Sequence, residues 1–152
     1  MFRVAVNTRE IDGLAVRLAR RSTDLSEAMT KIAGIMLDAV GQNFEDEGRP
    51  PWTPLADPTK EQRTEEGWGP EHPILQRTGT LAVSVQEDSS RNEATVATNL
   101  RYAAIQHFGG EAGRGKKVKI PPRPFLVLAP EAEAEIADVL RKLVDKDLST
   151  PP

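Results

Sequence analysis

The stretch closest to a ligand-binding signature is Gly110-Glu111-Ala112-Gly113-Arg114-Gly115-Lys116-Lys117. Its Gly110, Gly115 and Lys116 repeat the spacing of a phosphate-cradling loop, in which backbone amides wrap phosphates and a lysine neutralises them. That chemistry also needs a Ser or Thr after the lysine for magnesium, a strand before the loop and a helix after it. Here Lys117 takes the hydroxyl position, a short helix is expected before the loop and a β-like Val118-Lys119-Ile120 after it, so no nucleotide site is expected. The same loop carries Arg114, Lys116, Lys117 and Lys119, with Arg123 just beyond. Such a cluster can contact DNA phosphates without reading sequence. It can equally match an acidic face of a neighbouring protein, or stay a solvated loop. His72 and His107 are the only histidines and are isolated from each other, which favours packed residues over ligands. The chain has no cysteine, which removes disulfides, thiolate metal sites and Cys nucleophiles together. No Ser sits in a nucleophile elbow. Glu131, Glu133, Glu135 and Asp138 suit the first turn and solvent face of a helix, where acids favour the dipole. The sequence therefore gives no catalytic, cofactor or metal site, and no enzyme is expected.

Binding chemistry is better represented. Trp52 lies among Pro51, Pro54 and Leu55, and Trp68 follows in the same segment. Aromatics concentrate binding energy at interface centres, so these side chains either anchor a partner or tuck back onto their own domain. Tyr102, Phe108, Arg123 and Phe125 are further interface candidates.

The elements that must position these residues follow from periodicity and punctuation. Phe2 to Val6 alternates as a strand does, and Asn7 with Glu10 resembles a capping box opening a helix that ends near Arg21. Asp24 and Glu27 repeat that signal before an apolar stripe of Leu25, Ala28, Met29, Ile32, Ala33, Met36, Val40 and Phe44, about five helical turns. From Glu45 to Pro73, prolines, glycines and charges predominate. Proline fixes its own φ and biases its predecessor, so a protruding, extended arm is expected, with a short polar helix over Thr59–Glu66. Leu81, Val83 and Val85 alternate, as do Ala94, Val96 and Thr98 after a turn at 88–92, which predicts a β-hairpin. Tyr102 to Phe108 reads as a short helix closed by Gly109-Gly110. Val118–Ile120 and Phe125–Leu128 bracket a proline corner and suggest a further short strand. Pro130 opens a last helix with Ile136, Val139, Leu140 and Leu143 on one side. The expected fold is α+β: a small antiparallel sheet packed against a long α-helix, with a Pro/Trp-rich arm (45–73), a basic loop (109–120) and a C-terminal helix. Residues 1–148 are expected to form a single domain, and 149–152 a flexible tail.

At 152 residues the chain is long enough to bury a substantial core. With aromatics at 5%, that core must be mainly aliphatic. The formal net charge of -3 argues against a dedicated nucleic-acid binder. No apolar run approaches the roughly 18 residues of a membrane span. Met1-Phe2-Arg3-Val4-Ala5-Val6 turns polar too soon for a secretory signal, so work in the cytoplasm is expected.

Several short segments in fixed order then carry a resemblance: Phe44-x-x-Glu47-Gly48-x-Pro50 into Trp52-x-Pro54-Leu55, Ile74-Leu75-x-x-Thr78-Gly79-x-Leu81, Asn99-x-x-Tyr102-Ala103-x-Ile105-Gln106-x-Phe108-Gly109-Gly110, and Ile120-Pro121-x-Arg123-Pro124-Phe125-Leu126. The chain resembles the phage virion morphogenesis family, the tail-completion proteins of Mu-like long-tailed phages. It departs from the expected family pattern at Gln106-His107, where many relatives should carry the reverse order. The resemblance implies a structural protein of the virion neck or tail, without catalytic activity, made in the host cytoplasm. It implies a homo-oligomeric ring that meets head-completion or connector proteins on one side and tail tube or terminator proteins on the other. A ring needs unlike patches to meet; the arm around Trp52 and Trp68, and the Tyr102–Phe108 helix with the Pro121–Phe125 corner, are the expected pair. A DNA-contacting accessory protein using the basic loop 114–123 is the alternative.

Overall fold

In the computed structural model, residues 2–3, 24–69 and 72–149 are described. The helix expected over Asn7–Arg21 and the last three residues of the tail lie outside them. The described residues form an α+β fold with two small antiparallel sheets and five α-helices.

The long helix α1 spans Ser26–Glu45 and is the spine of the core. Its stripe Ala28, Met29, Ile32, Ala33, Met36, Val40 and Phe44 is buried, as the 3.6-residue period demands. The expected capping box does not form as drawn. The Asp24 carboxylate accepts from the Ser26 amide and hydroxyl, at 3.0 and 2.7 Å, and Glu27 pairs with Lys31 one turn on. One sheet has strand order β1-β3-β2, with β1 at Phe2–Arg3, β2 at Gln86–Ser89 and β3 at Ala94–Thr98. In β3, Val96 and Thr98 are buried beneath α1, which packs on both β2 and β3. The C-terminal helix α5, Pro130–Ser149, also lies against α1 and buries Ala132, Ile136, Ala137 and Leu140. Its proline is at the first helical position, where the missing N–H costs nothing.

Three expectations are corrected. The arm is in part folded back: Trp52 belongs to the core and Arg63 is buried, whereas most other described arm residues, those of the helix α2 (Asp57–Glu65) among them, are exposed. Leu81, Val83 and Val85 do not form a strand. Gly79, with φ at 70°, leads into the short helix α3, Thr80–Val83, and the strand starts only at Gln86. Leu81 and Val85 are buried whereas Val83 is 78% exposed, which a strand with three same-facing residues would not allow. Phe125–Leu128 is not a strand either. Val118–Ile120 (β5) pairs instead with Gly110–Ala112 (β4), in the register Gly110↔Ile120 and Ala112↔Val118. The helix before it, α4, spans Ala103–Phe108.

Candidate functional site

Two constellations gather the residues that carry the sequence motifs, one inside the protein and one on its surface. The inner one begins with Asn43, completely buried on the stripe of α1. Its side-chain amide donates to the carbonyls of Phe125 and Val127, at 2.9 and 2.8 Å. Its oxygen accepts from Arg49 Nε at 3.1 Å, while Arg49 Nη2 donates to the Ala39 carbonyl. The proline corner is thereby tied to the end of α1. Trp52 closes the other side: its indole N–H donates to the Pro124 carbonyl at 3.1 Å, and its ring meets Phe44 edge-on at 5.9 Å. Gly48, at φ 102°, makes room for that indole, because a Cβ there would stand 2.4 Å from Trp52 Cδ1. Phe125 sits between Phe44, tilted to it at a centroid distance of 5.4 Å, and His107, which it meets edge-on at 5.3 Å.

Arg123 completes this clasp. It is buried, and its guanidinium donates to the Thr53 and Pro54 carbonyls at 3.0 and 3.2 Å, strapping the arm to the corner. Burial, and then the Arg63 charge, lower its pKa from the ordinary value. Arg63 itself donates to the carbonyls of His72 and Pro73 and fastens the return of the arm. His107 Nδ1 accepts the Leu126 amide at 3.3 Å, and burial lowers the His107 pKa. His72 Nε2 lies 2.9 Å from the Gln76 carbonyl, and its ring faces Trp68 at 4.8 Å. Glu47 accepts the Ile74 amide and Gln76 donates to the Phe44 carbonyl, so the Ile74–Leu81 motif is also sewn to the end of α1. Every buried side-chain polar atom among the described residues has a hydrogen-bond partner.

Of the seven interface candidates, Trp52, Arg123 and Phe125 are therefore spent on the protein's own fold. Leu55 is half-buried. Trp68, Tyr102 and Phe108 remain exposed, at 38%, 45% and 64%. Tyr102 and Phe108 bracket α4, and Val118, 56% exposed, lies on the hairpin that springs from it. Gly109 makes the junction, with φ at 71° and the position of a Cβ only 2.7 Å from Pro122 N and 2.8 Å from the Ile120 carbonyl oxygen. Any side chain there would push the hairpin off its helix.

The hairpin turn holds a short 3-10 segment, Arg114–Lys116, and Lys117, all exposed, with Lys119 exposed on β5. A strand follows this turn, so it lacks the helix N-terminus of a phosphate loop. Lys119 is paired across the strands with Glu111, which places both side chains on one face. Arg123, counted with the basic cluster from sequence, points inward and does not join it. Among the described residues, no group of three or more metal-ligating side chains exists, and no helix is long and apolar enough to cross a membrane.

Asn43, Arg49, Glu47 and Arg63 are structural polar residues that sequence reasoning passed over. For Asn43 a signal was present: it sits four residues after Ala39 and three after Val40, on an otherwise apolar helical stripe. A polar amide in that position must find buried partners.

Trp68, Tyr102 and Phe108 are thus left on the surface above an interior whose polar groups are satisfied. Residues 6–145 match the phage virion morphogenesis family, and the chain belongs to that family. It is 43% identical over 132 residues to a protein of Haemophilus influenzae named "Mu-like prophage FluMu G protein 2", covering 87% of each chain. It is 30% identical over 151 residues to the "Putative capsid assembly protein G" of Escherichia phage Mu, covering 95% of each. No solved structure matches.

Proposed function

We propose that the chain is a structural protein of the phage neck or tail, which completes the tail or joins it to the head by docking to copies of itself and to neighbouring virion proteins. The carrying observation is the exposed apolar set Tyr102, Phe108 and Val118 around α4 and its hairpin, on a protein whose other large apolar side chains are mostly buried. Family membership and the capsid-assembly name of the phage Mu relative support a place in particle construction. The role rests on surfaces and assigns no catalytic step to the chain. Phage lacking the protein should accumulate separate heads and tails, visible by electron microscopy of lysates. Joined, infectious particles in its absence would refute the role.

A second function, contact with genomic DNA, is favoured by the exposure of Arg114, Lys116, Lys117 and Lys119 on one hairpin. Phosphate contacts of this kind are strongly salt-dependent. Retention on DNA should fall with salt and vanish in Lys116→Glu/Lys117→Glu/Lys119→Glu.

A further inference from the structure

A groove of about 600 Å³ runs along the C-terminal half of α1 and is closed on its other side by the segment from Gln76 to Val85. Its lining includes the buried side chains of Val40, Phe44 and Val85, and the highly exposed Val83 lies at its rim. Among the described residues, Asp38 and Glu45 are the only ionisable ones in its lining, and both are exposed. They stand seven residues apart on one helical face, about 10 Å along the axis. The groove therefore combines an apolar floor with a purely negative edge.

The α4–hairpin unit has the complementary chemistry. Phe108 is a large exposed apolar side chain, and the hairpin that follows carries Arg114, Lys116, Lys117 and Lys119 against the single acid Glu111. Each of its strands has three residues, about 10 Å in length, the same span as the acidic edge.

We propose that Phe108 of one copy enters this groove on the next copy, with the basic hairpin lying along Asp38 and Glu45. This rests on the self-docking role stated above and supplies its two surfaces. The patches differ from each other, so the contact is heterologous, and repeating it builds a ring if the rotation closes. Apolar insertion supplies the attraction, and the charges set orientation.

The absence of native cysteine makes a direct test available. A Val83→Cys copy and a Phe108→Cys copy, distinguishable by mass, are mixed and oxidised. The expected product is a mixed disulfide dimer. Its yield should fall roughly three- to tenfold when the Val83→Cys copy also carries Asp38→Lys/Glu45→Lys. The yield should return when the Phe108→Cys copy carries Lys116→Glu/Lys117→Glu. It should also fall in about 1 M salt, where the screening length is about 3 Å. Wild-type mass is measured in parallel by light scattering. Oligomers without a mixed cross-link would overturn the proposed contact while leaving self-assembly standing. A monomer without a cross-link would overturn the contact and self-docking together, whereas the neck position is judged separately by microscopy. A cross-link indifferent to the acidic reversal would overturn the pairing and assign the cations to another partner, such as DNA phosphate.

Discussion

At the scale of single residues, the side chains expected to reach outward divide into two groups. Of the two readings open for Trp52, an anchor for a partner or a side chain tucked back onto its own domain, the structure shows the second: it hydrogen-bonds Pro124 and packs on Phe44 within its own chain. Trp52→Ala should therefore lower the stability of the isolated protein, by about 3–5 kcal/mol in urea denaturation. Asn43→Ala removes the partner of the Phe125 and Val127 carbonyls and of Arg49 together. Its expected cost is about 2–4 kcal/mol, read as a lower denaturation midpoint. His107 adds a pH dependence. Its pKa is lowered by burial, so the unfolded chain takes up a proton as pH falls through about 6.5 while the folded chain stays neutral until lower pH. Its contribution is complete above that range and declines below it, because protonation also removes the acceptor for the Leu126 amide. His107→Asn should lose less stability than the native protein between pH 7 and pH 5, compared by denaturation at both.

At the scale of elements, long periodic segments were legible and short ones were ambiguous. The stripe of α1 and the apolar positions of α5 identify their helices from spacing alone. Leu81, Val83 and Val85 fit a strand and a helical turn equally well over five residues. The decision lay with the positive φ of Gly79 and with Ser84, whose hydroxyl binds the Leu81 carbonyl and lies 2.7 Å from the Thr98 hydroxyl. The folding back of the arm at Trp52 was not legible, because proline-rich composition reports local extension and carries no record of the Trp52–Pro124 and Arg123–Thr53 contacts, some 70 residues apart in sequence. Of the surface set, the exposed aromatics of α4 were visible as types, whereas their exposure required the tertiary fold. Phe108→Asp at the end of α4 should leave stability within about 0.5 kcal/mol, since the ring is mostly in solvent. The same change should sharply reduce self-association, measured by light scattering beside thermal unfolding.

At the scale of the whole molecule, the chain spends much of the Phe44–Leu55 and Ile120–Leu126 segments on an internal clasp of Asn43, Arg49, Trp52, Arg123 and Phe125. That clasp holds α1, the arm, the proline corner and α4 in fixed relation. A rigid body of this kind suits an assembly part, because little ordering cost remains to be met when it binds. Its outer features are then the apolar residues of α4, the basic hairpin and the acidic-edged groove. All three belong to one polypeptide of modest net charge, so copies can approach without strong mutual repulsion. The most direct test is to label the protein and locate it in purified, infectious particles by electron microscopy. Density at the junction of head and tail, or at the tail's end, is the predicted result; particles that are complete and infectious yet carry no label would contradict it.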